Sequence, residues 1–113
     1  MTSTRRATTA EELAKTCPGR SVLNHVTSRW GVLILSALHE RELRFAELRD
    51  RLPGISEKVL AHTLRLLVDD GLVQRFPRPS AAPHVSYALT DRGTDVNQPL
   101  QELLGRIARY AGR

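Results

Sequence analysis

Apolar positions along the chain recur mostly at helical spacing and change to alternation in one stretch. Val22, Leu23 and Val26 predict a helix over 19–28, with Pro18 tolerated at its first position. Trp30 to Leu38 (WGVLILSAL) is apolar on nearly every side and predicts a buried helix, because Ala37 and Leu38 continue the Leu33/Ile34 face. The charged segment from Glu40 to Arg44 is expected to turn. Phe45, Leu48 and Leu52 then fall at i, i+3 and i+7, a short amphipathic helix ended by Pro53-Gly54. Ser56 is the expected cap of a helix over 56–70 that directs Val59, Leu60, Leu64, Leu67 and Val68 inward and stops at Gly71. Beyond Gly71 come Leu72, Val73 and Phe76, a tip with Pro77, Pro79 and Pro83, and then Val85, Tyr87 and Leu89 in strict alternation, with Ser86 and Ala88 on the other face. Period two on both sides of a turn predicts a β-hairpin. Thr90 caps a last helix whose stripe is Val96, Leu100, Leu103, Leu104, Ile107 and Tyr110, with a kink expected at Pro99. At the other end, residues 1–9 lack periodicity and are expected to form a flexible arm. A short helix over 10–15, capped by Thr9, offers only Leu13 as a strongly apolar residue and therefore needs a partner.

The pattern describes a mainly α chain with a small antiparallel β-hairpin, and 113 residues suit one domain, here 10–113 after the arm. With one Trp, two Phe and two Tyr, its core must be aliphatic. Lys plus Arg number 17 against 12 Asp plus Glu, a formal charge of +5 that favours a polyanionic partner. Charge alone leaves a merely basic soluble protein equally open, so placement has to decide. The longest apolar run, Val32 to Leu35, is far short of the roughly 18 residues that cross a bilayer. No apolar stretch follows Arg5 and Arg6 as a secretory signal requires, so no membrane association and a cytoplasmic location are expected. Cys17 is the only cysteine, too few for an internal disulfide framework or a cysteine-based zinc site.

Helix, tight turn, helix and hairpin, in that order, make a winged helix-turn-helix. A helix about 10–12 Å across fits the major groove of DNA when its outer face carries donors and acceptors. With Val59, Leu60, Leu64 and Leu67 inward, the 56–70 helix leaves Ser56, Glu57, Lys58, Ala61, His62 and Arg65 outward and Thr63 at the margin. Glu57 either accepts from a cytosine amine or caps its own helix. Arg75, Arg78 and His84 lie at or near the hairpin tip, where a wing can follow the DNA backbone. Cys17 with His25 is the one nucleophile–base pair close in sequence, and with no phosphate loop, nucleophile elbow or evident carboxylate pair beside it, no enzyme is expected. His25, His39, His62 and His84 lack metal-ligand spacing, so neither metal nor cofactor is expected. The rival reading is a winged-helix module for protein–protein contact, which needs neither a basic tip nor a reader face.

The chain resembles the HxlR-type winged-helix regulators, a branch related to the MarR-type repressors. The residues that carry the resemblance are Cys17-Pro18, Arg29-Trp30 with Val32 to Leu35, Arg44-Phe45 with Glu47-Leu48, Leu52 to Ser56, Leu60 through Leu67, Asp70 to Val73, Val85, Tyr87, Leu89-Thr90 and Gly93, spanning about 17–110. The resemblance implies a dimeric DNA-binding repressor or activator with the 56–70 helix as reader, the 73–89 hairpin as wing, and dimerisation through the N- and C-terminal helices. Arg44 joins the expected DNA-contacting set. The partners so implied are double-stranded DNA carrying a pseudo-palindromic operator and a second copy of the chain. The expected dimer residues are Leu13, Val96, Leu100, Leu103, Leu104, Ile107 and Tyr110, a stripe more apolar than one solvent-facing terminal helix needs. The chain departs from the family pattern in a hairpin tip about two residues longer, in His84, in Glu57 where Pro is frequent, and in Tyr110 where Trp is common.

In such regulators a cysteine near this position can sense oxidants or electrophiles. Cys17 directly precedes the expected helix, and Lys15 and Arg20 lie close in sequence, which favours the thiolate. A small packed residue is the alternative. An effector is thus expected to be an oxidant acting at Cys17 or a small-molecule ligand, as in MarR-like regulators.

Overall fold

The computed structural model describes residues 9–15 and 17–112. In chain order the elements are α1 (Thr9–Lys15), α2 (Cys17–Thr27), α3 (Arg29–Glu40), β1 (Leu43–Arg44), α4 (Phe45–Arg51), α5 (Glu57–Asp69), β2 (Val73–Arg78), β3 (His84–Leu89) and α6 (Asp91–Ala111). The strands form one antiparallel sheet in the order β1-β3-β2. Of the expected arm over 1–9, residues 1–8 lie outside the described residues, and Thr9 is the first residue of α1 rather than part of an arm or the cap of the helix.

Two expectations about the sheet need correction. The charged segment 40–44 was expected only to turn, yet Leu43 and Arg44 pair with Tyr87 and Ser86 and add a third strand to the hairpin. Leu43 is completely buried there, which ties the sheet to the helical core. As a result β3 is central, and Ser86, on the face opposite Tyr87, is buried as Tyr87 is.

The core is aliphatic. Ile34 and Leu35 of α3, Leu43, Leu48 of α4, and Leu60, Leu64 and Leu67 of α5 are essentially inaccessible, as are Leu72 and Val73. Each buried side chain of this size contributes about 1.5–3 kcal/mol relative to exposure. The run WGVLILSAL is indeed a helix buried over much of its surface, opened by Ser28, whose side chain accepts from the Gly31 N–H at 3.1 Å.

Between α4 and α5 the chain reverses at Pro53-Gly54. Gly54 has φ +91°, and Ile55 N–H donates to Leu52 O at 3.2 Å, the arrangement of a type II turn with Pro second and Gly third. Ser56 caps α5 by accepting from Val59 N–H at 3.1 Å. At the other end of α5, Gly71 at φ +80° supplies the left-handed residue of a Schellman motif, with Leu72 N–H on Leu67 O at 3.0 Å and Gly71 N–H on Val68 O at 2.9 Å.

The start of α6 is bound to the same place. Thr90 Oγ1 donates to Gly71 O at 2.6 Å and accepts from Gly93 N–H at 2.9 Å, while Thr90 N–H donates to Leu72 O at 3.0 Å. Gly93 lies so close to Leu72 that a Cβ there would overlap the Leu72 carbonyl oxygen. The helix continues through Pro99, the position where a kink is expected. Its inner side carries Asn97, fully buried, whose Nδ2 donates to Leu35 O at 3.0 Å and lies 3.4 Å from His39 Nδ1. Gln101 Nε2 donates to Asn97 Oδ1 at 3.1 Å and to Ser36 Oγ at 2.9 Å, so α6 is joined to α3 by a satisfied polar network.

Candidate nucleic-acid interface

Helix α5 rests on Leu60, Thr63, Leu64 and Leu67. Two positions differ from expectation. Val59, expected inside, is exposed, and Thr63, expected at the margin with a contact role, is buried with its hydroxyl donating to Val59 O at 2.8 Å. A threonine can take such a position because its methyl packs and its own helix satisfies its one polar atom. The exposed side of α5 carries Glu57, Lys58, His62 and Arg65. Lys58, His62 and Arg65 make no ion pair among the described residues, whereas Glu57 accepts from Arg49 Nη1 of α4 at 3.0 Å. Glu57 is thus neither free nor a cap: Ser56 does the capping, and the Glu57 carboxylate raises the Arg49 pKa above its ordinary value chiefly through that hydrogen bond.

In the hairpin the three residues expected at or near the tip, Arg75, Arg78 and His84, separate. Register places Arg75 opposite Tyr87 and Arg78 opposite His84, so Arg75 is three residues back from the end of β2 rather than at the tip. Alternation then sets Arg75 and Arg78 on opposite faces of the sheet. Arg75 lines a cavity of about 190 Å³ with Ala61, Arg65 and Val68 of α5 and with Tyr87, so two guanidinium side chains, one from α5 and one from β2, share one cleft. Arg44 and His84 line a second cleft, of about 340 Å³, which also reaches Tyr87. Arg44 itself precedes α4, its N–H donating to Glu47 Oε1 at 2.8 Å, and this bond is the main reason the Glu47 carboxyl is held below its ordinary value of 4.5. Arg78 is occupied: its guanidinium meets the Glu42 carboxylate at 2.8 and 3.0 Å.

The expected dimer stripe divides in two. Val96 and Leu100 pack against the monomer core and Leu104 is half-buried, while Leu103, Ile107 and Tyr110, at i, i+4 and i+7, are 53%, 52% and 79% exposed. Leu13 of α1 lines an apolar groove together with Pro18, Val22, Leu23 and Val26 of α2 and Val96. The Cys17 backbone opens α2 rather than preceding it, and its side chain lies outside the described residues. His25, considered as a base beside Cys17, instead hydrogen-bonds Asp70 at the end of α5, Nδ1 to Oδ2, at 2.7 Å. Among the described residues no cluster of His, Cys, Asp and Glu could hold a metal, and no helix is long and apolar enough to cross a membrane.

Sequence reasoning missed Glu42, Asp70 and Asn97. The signal for Asn97 was available in the series Gly93, Asn97, Gln101, a small and polar stripe at four-residue spacing beside the apolar one. Glu42 and Asp70 carry no local signal, since their partners lie 36 and 45 residues away.

The model of the HxlR-like helix-turn-helix family matches residues 25–113. Among curated relatives, the HTH-type transcriptional regulator YtfH of Escherichia coli (strain K12) is 50% identical over 90 residues, which is 80% of this chain and 71% of that protein. Among solved structures, the ytfH transcriptional regulator of Salmonella typhimurium aligns with a TM-score of 0.73 at 43% identity, covering 88% of this chain and 96% of the other. Diamide-treated YodB from Bacillus subtilis aligns with a TM-score of 0.71 at 31% identity, covering 85% and 96%.

Proposed function

Because this chain belongs to the HxlR-like helix-turn-helix family of transcriptional regulators, we propose that it is a sequence-specific DNA-binding repressor that acts as a homodimer. The observation that carries this reading is the arrangement on α5: Lys58, His62 and Arg65 are exposed and have no ion-pair partner among the described residues, and Arg75 of the wing shares a cleft with Arg65. A helix that is anchored on one side and carries unpaired cations on the other suits a polyanionic groove. Ser56 and Glu57 stand at the start of α5, with Glu57 restraining Arg49 until DNA competes for it, and Arg44 lines the second cleft with His84. The exposed Leu103, Ile107 and Tyr110 on α6 and the apolar groove along α2 support packing of a second copy. A twofold dimer of this kind reads half-sites about 34–36 Å apart, and its operator is a pseudo-palindrome.

The test is a mobility shift with promoter fragments at two salt concentrations, followed by genome-wide selection of bound DNA. Binding is expected to be strongest at low salt and to weaken steeply as salt rises, because displaced counterions drive it. Absence of binding at low salt overturns the reading. An alanine at Arg65 is expected to cost about 1–3 kcal/mol of specific binding.

A second reading concerns the signal. The similarity to a regulator solved after diamide treatment, together with a cysteine that opens α2, supports Cys17 as a sensor of oxidants or electrophiles. With one cysteine in the chain, such a sensor works through an intersubunit disulfide, a mixed disulfide or an adduct. A Cys17→Ser variant is expected to hold DNA in the presence of diamide or a quinone, and release equal to that of the unmodified chain ends the idea.

A further inference from the structure

We propose that Glu42 and Arg78 form a staple across the sheet that sets the attitude of the wing, so that Arg78 acts on DNA binding as a positioning residue and not by touching phosphate. The inference rests on the reading above, in which the hairpin is a DNA-contacting wing, and it reassigns one of the cations expected to make that contact.

Glu42 immediately precedes β1 at one edge of the sheet, and Arg78 ends β2 at the other. Their contact is bidentate, with Arg78 Nε on Glu42 Oε2 at 3.0 Å and Arg78 Nη2 on Oε1 at 2.8 Å. A two-point fork fixes direction as well as distance, which a single surface ion pair does not. The guanidinium also lies 4.8 Å from the centre of the Phe76 ring, two residues back on the same face of β2. Between the two edges, Ser86 of the central strand lies near enough to the Glu42 carboxylate to help lower its pKa. Ser86 is itself buried and stands opposite both Arg44 and Phe76 in register. The pair therefore bridges β1, β3 and β2 just where the hairpin leaves the body of the protein. The Nε–Nη2 edge of Arg78, the one that could grip a phosphate bidentately, is filled by the Glu42 carboxylate oxygens, whereas Arg75, on the other face, has no ion pair among the described residues and is open to phosphate.

A cycle of Glu42→Gln, Arg78→Gln and the double variant, made in the full-length chain, tests this with two readouts. In the absence of DNA, amide exchange in the hairpin over 76–86 is expected to be about two- to fivefold faster in either single variant than in the unmodified chain, and the double variant is expected to match the singles without a further increase. The exchanged pair Glu42→Arg with Arg78→Glu is expected to restore protection. On a mixed-sequence DNA duplex, Arg78→Gln is expected to leave the slope of log affinity against log salt unchanged in the Glu42→Gln background. A slope reduced by about 0.9 in both backgrounds, as expected for one lost phosphate contact, overturns the proposal. Hairpin exchange indifferent to both single variants overturns it equally. If the unmodified chain fails to bind the duplex at low salt, the DNA reading falls, and the exchange cycle still decides whether the staple exists.

Discussion

Two glycines of α6 are expected to respond in opposite directions to the same substitution. A methyl group at Gly93 would overlap the Leu72 carbonyl oxygen and come within 2.9 Å of the Leu72 carbonyl carbon and 3.3 Å of its Cα. Restoring ordinary contact requires the two backbones to separate by on the order of 1 Å. The Leu72 carbonyl cannot yield freely, because it accepts the Thr90 N–H at 3.0 Å, and separation weakens that bond and the Thr90 cap on Gly93. Overpacking strain of about 1–3 kcal/mol and a hydrogen bond worth about 1 kcal/mol outweigh the gain of roughly 0.5–1 kcal/mol that alanine brings to a helix. Gly93→Ala should therefore lose about 2–3 kcal/mol. Gly105 has nothing within 4 Å of the same position, so Gly105→Ala should gain roughly 0.5–1 kcal/mol. Urea unfolding followed by far-ultraviolet circular dichroism, at one protein concentration and with an unchanged denaturant slope, measures both. Midpoints that move in the same direction, or a Gly93→Ala loss under about 1 kcal/mol, would refute the reasoning.

Thr63→Val should leave DNA affinity unchanged while costing about 1 kcal/mol of stability, because the buried hydroxyl serves only Val59 O; equilibrium binding beside denaturation checks it, and a large loss of affinity would return Thr63 to the reader surface. Asp70→Asn should destabilise the fold by about 1–3 kcal/mol, since it weakens the 2.7 Å bond from α2 to the end of α5, and an unchanged urea midpoint would show that the pair contributes nothing. Leu103→Asp with Ile107→Asp should shift the sedimentation of the chain from the proposed dimer to a monomer while preserving helix content, because both side chains are half-exposed within one chain; a dimer that persists removes α6 from the proposed interface. For Glu42, the Arg78 hydrogen bond is the largest reason the carboxyl titrates below its ordinary value of 4.5, with Ser86, the Arg78 charge and His84 adding to it against partial desolvation. A folded value that is lowered means the stabilisation is complete above pH 4.5 and fades as pH falls through the lowered value. A carbon-13 titration should find a midpoint below the ordinary one that rises in Arg78→Gln, and a midpoint unmoved by that change would contradict the assignment.

What the sequence could reveal follows the range over which each cause acts. The buried α3, the Ser56 cap and the Pro53-Gly54 turn are local, set by residues within one or two turns of each other, and they stand where the pattern predicted them. Strand β1 has two residues, too few for any period to register, and its existence depends on Leu43 finding Tyr87 far along the chain. That pairing makes β3 central, which is why Ser86 is buried against the expectation of alternation. Val59 and Thr63 flank the inner face of α5 from the same side, and hydrophobicity favours the wrong one unless the helix's capacity to satisfy a threonine hydroxyl is counted. Arg75 and Arg78 shared a label in the sequence because both are near the tip, yet three residues in a strand reverse the face. The apolar stripe on α6 was legible, but not its division, because only the packing of Val96 and Leu100 on the core shows where the monomer stops using it.

The junction at Gly71, Leu72, Thr90 and Gly93 also sets how precisely α6 is aimed. A helix of 21 residues is about 31 Å long, so a pivot of about 10° at its base sweeps its far end through about 5 Å. Side chains at such a base would let the direction drift with every substitution. Here the bearing surface is largely backbone on backbone, with one threonine hydroxyl as the pin. The aim of α6 is consequently independent of which side chains decorate the outer face of α5. The outer face of α5, the proposed reader, can change by substitution without disturbing the direction of α6, and conversely: two properties that could have traded against each other are left free to evolve apart.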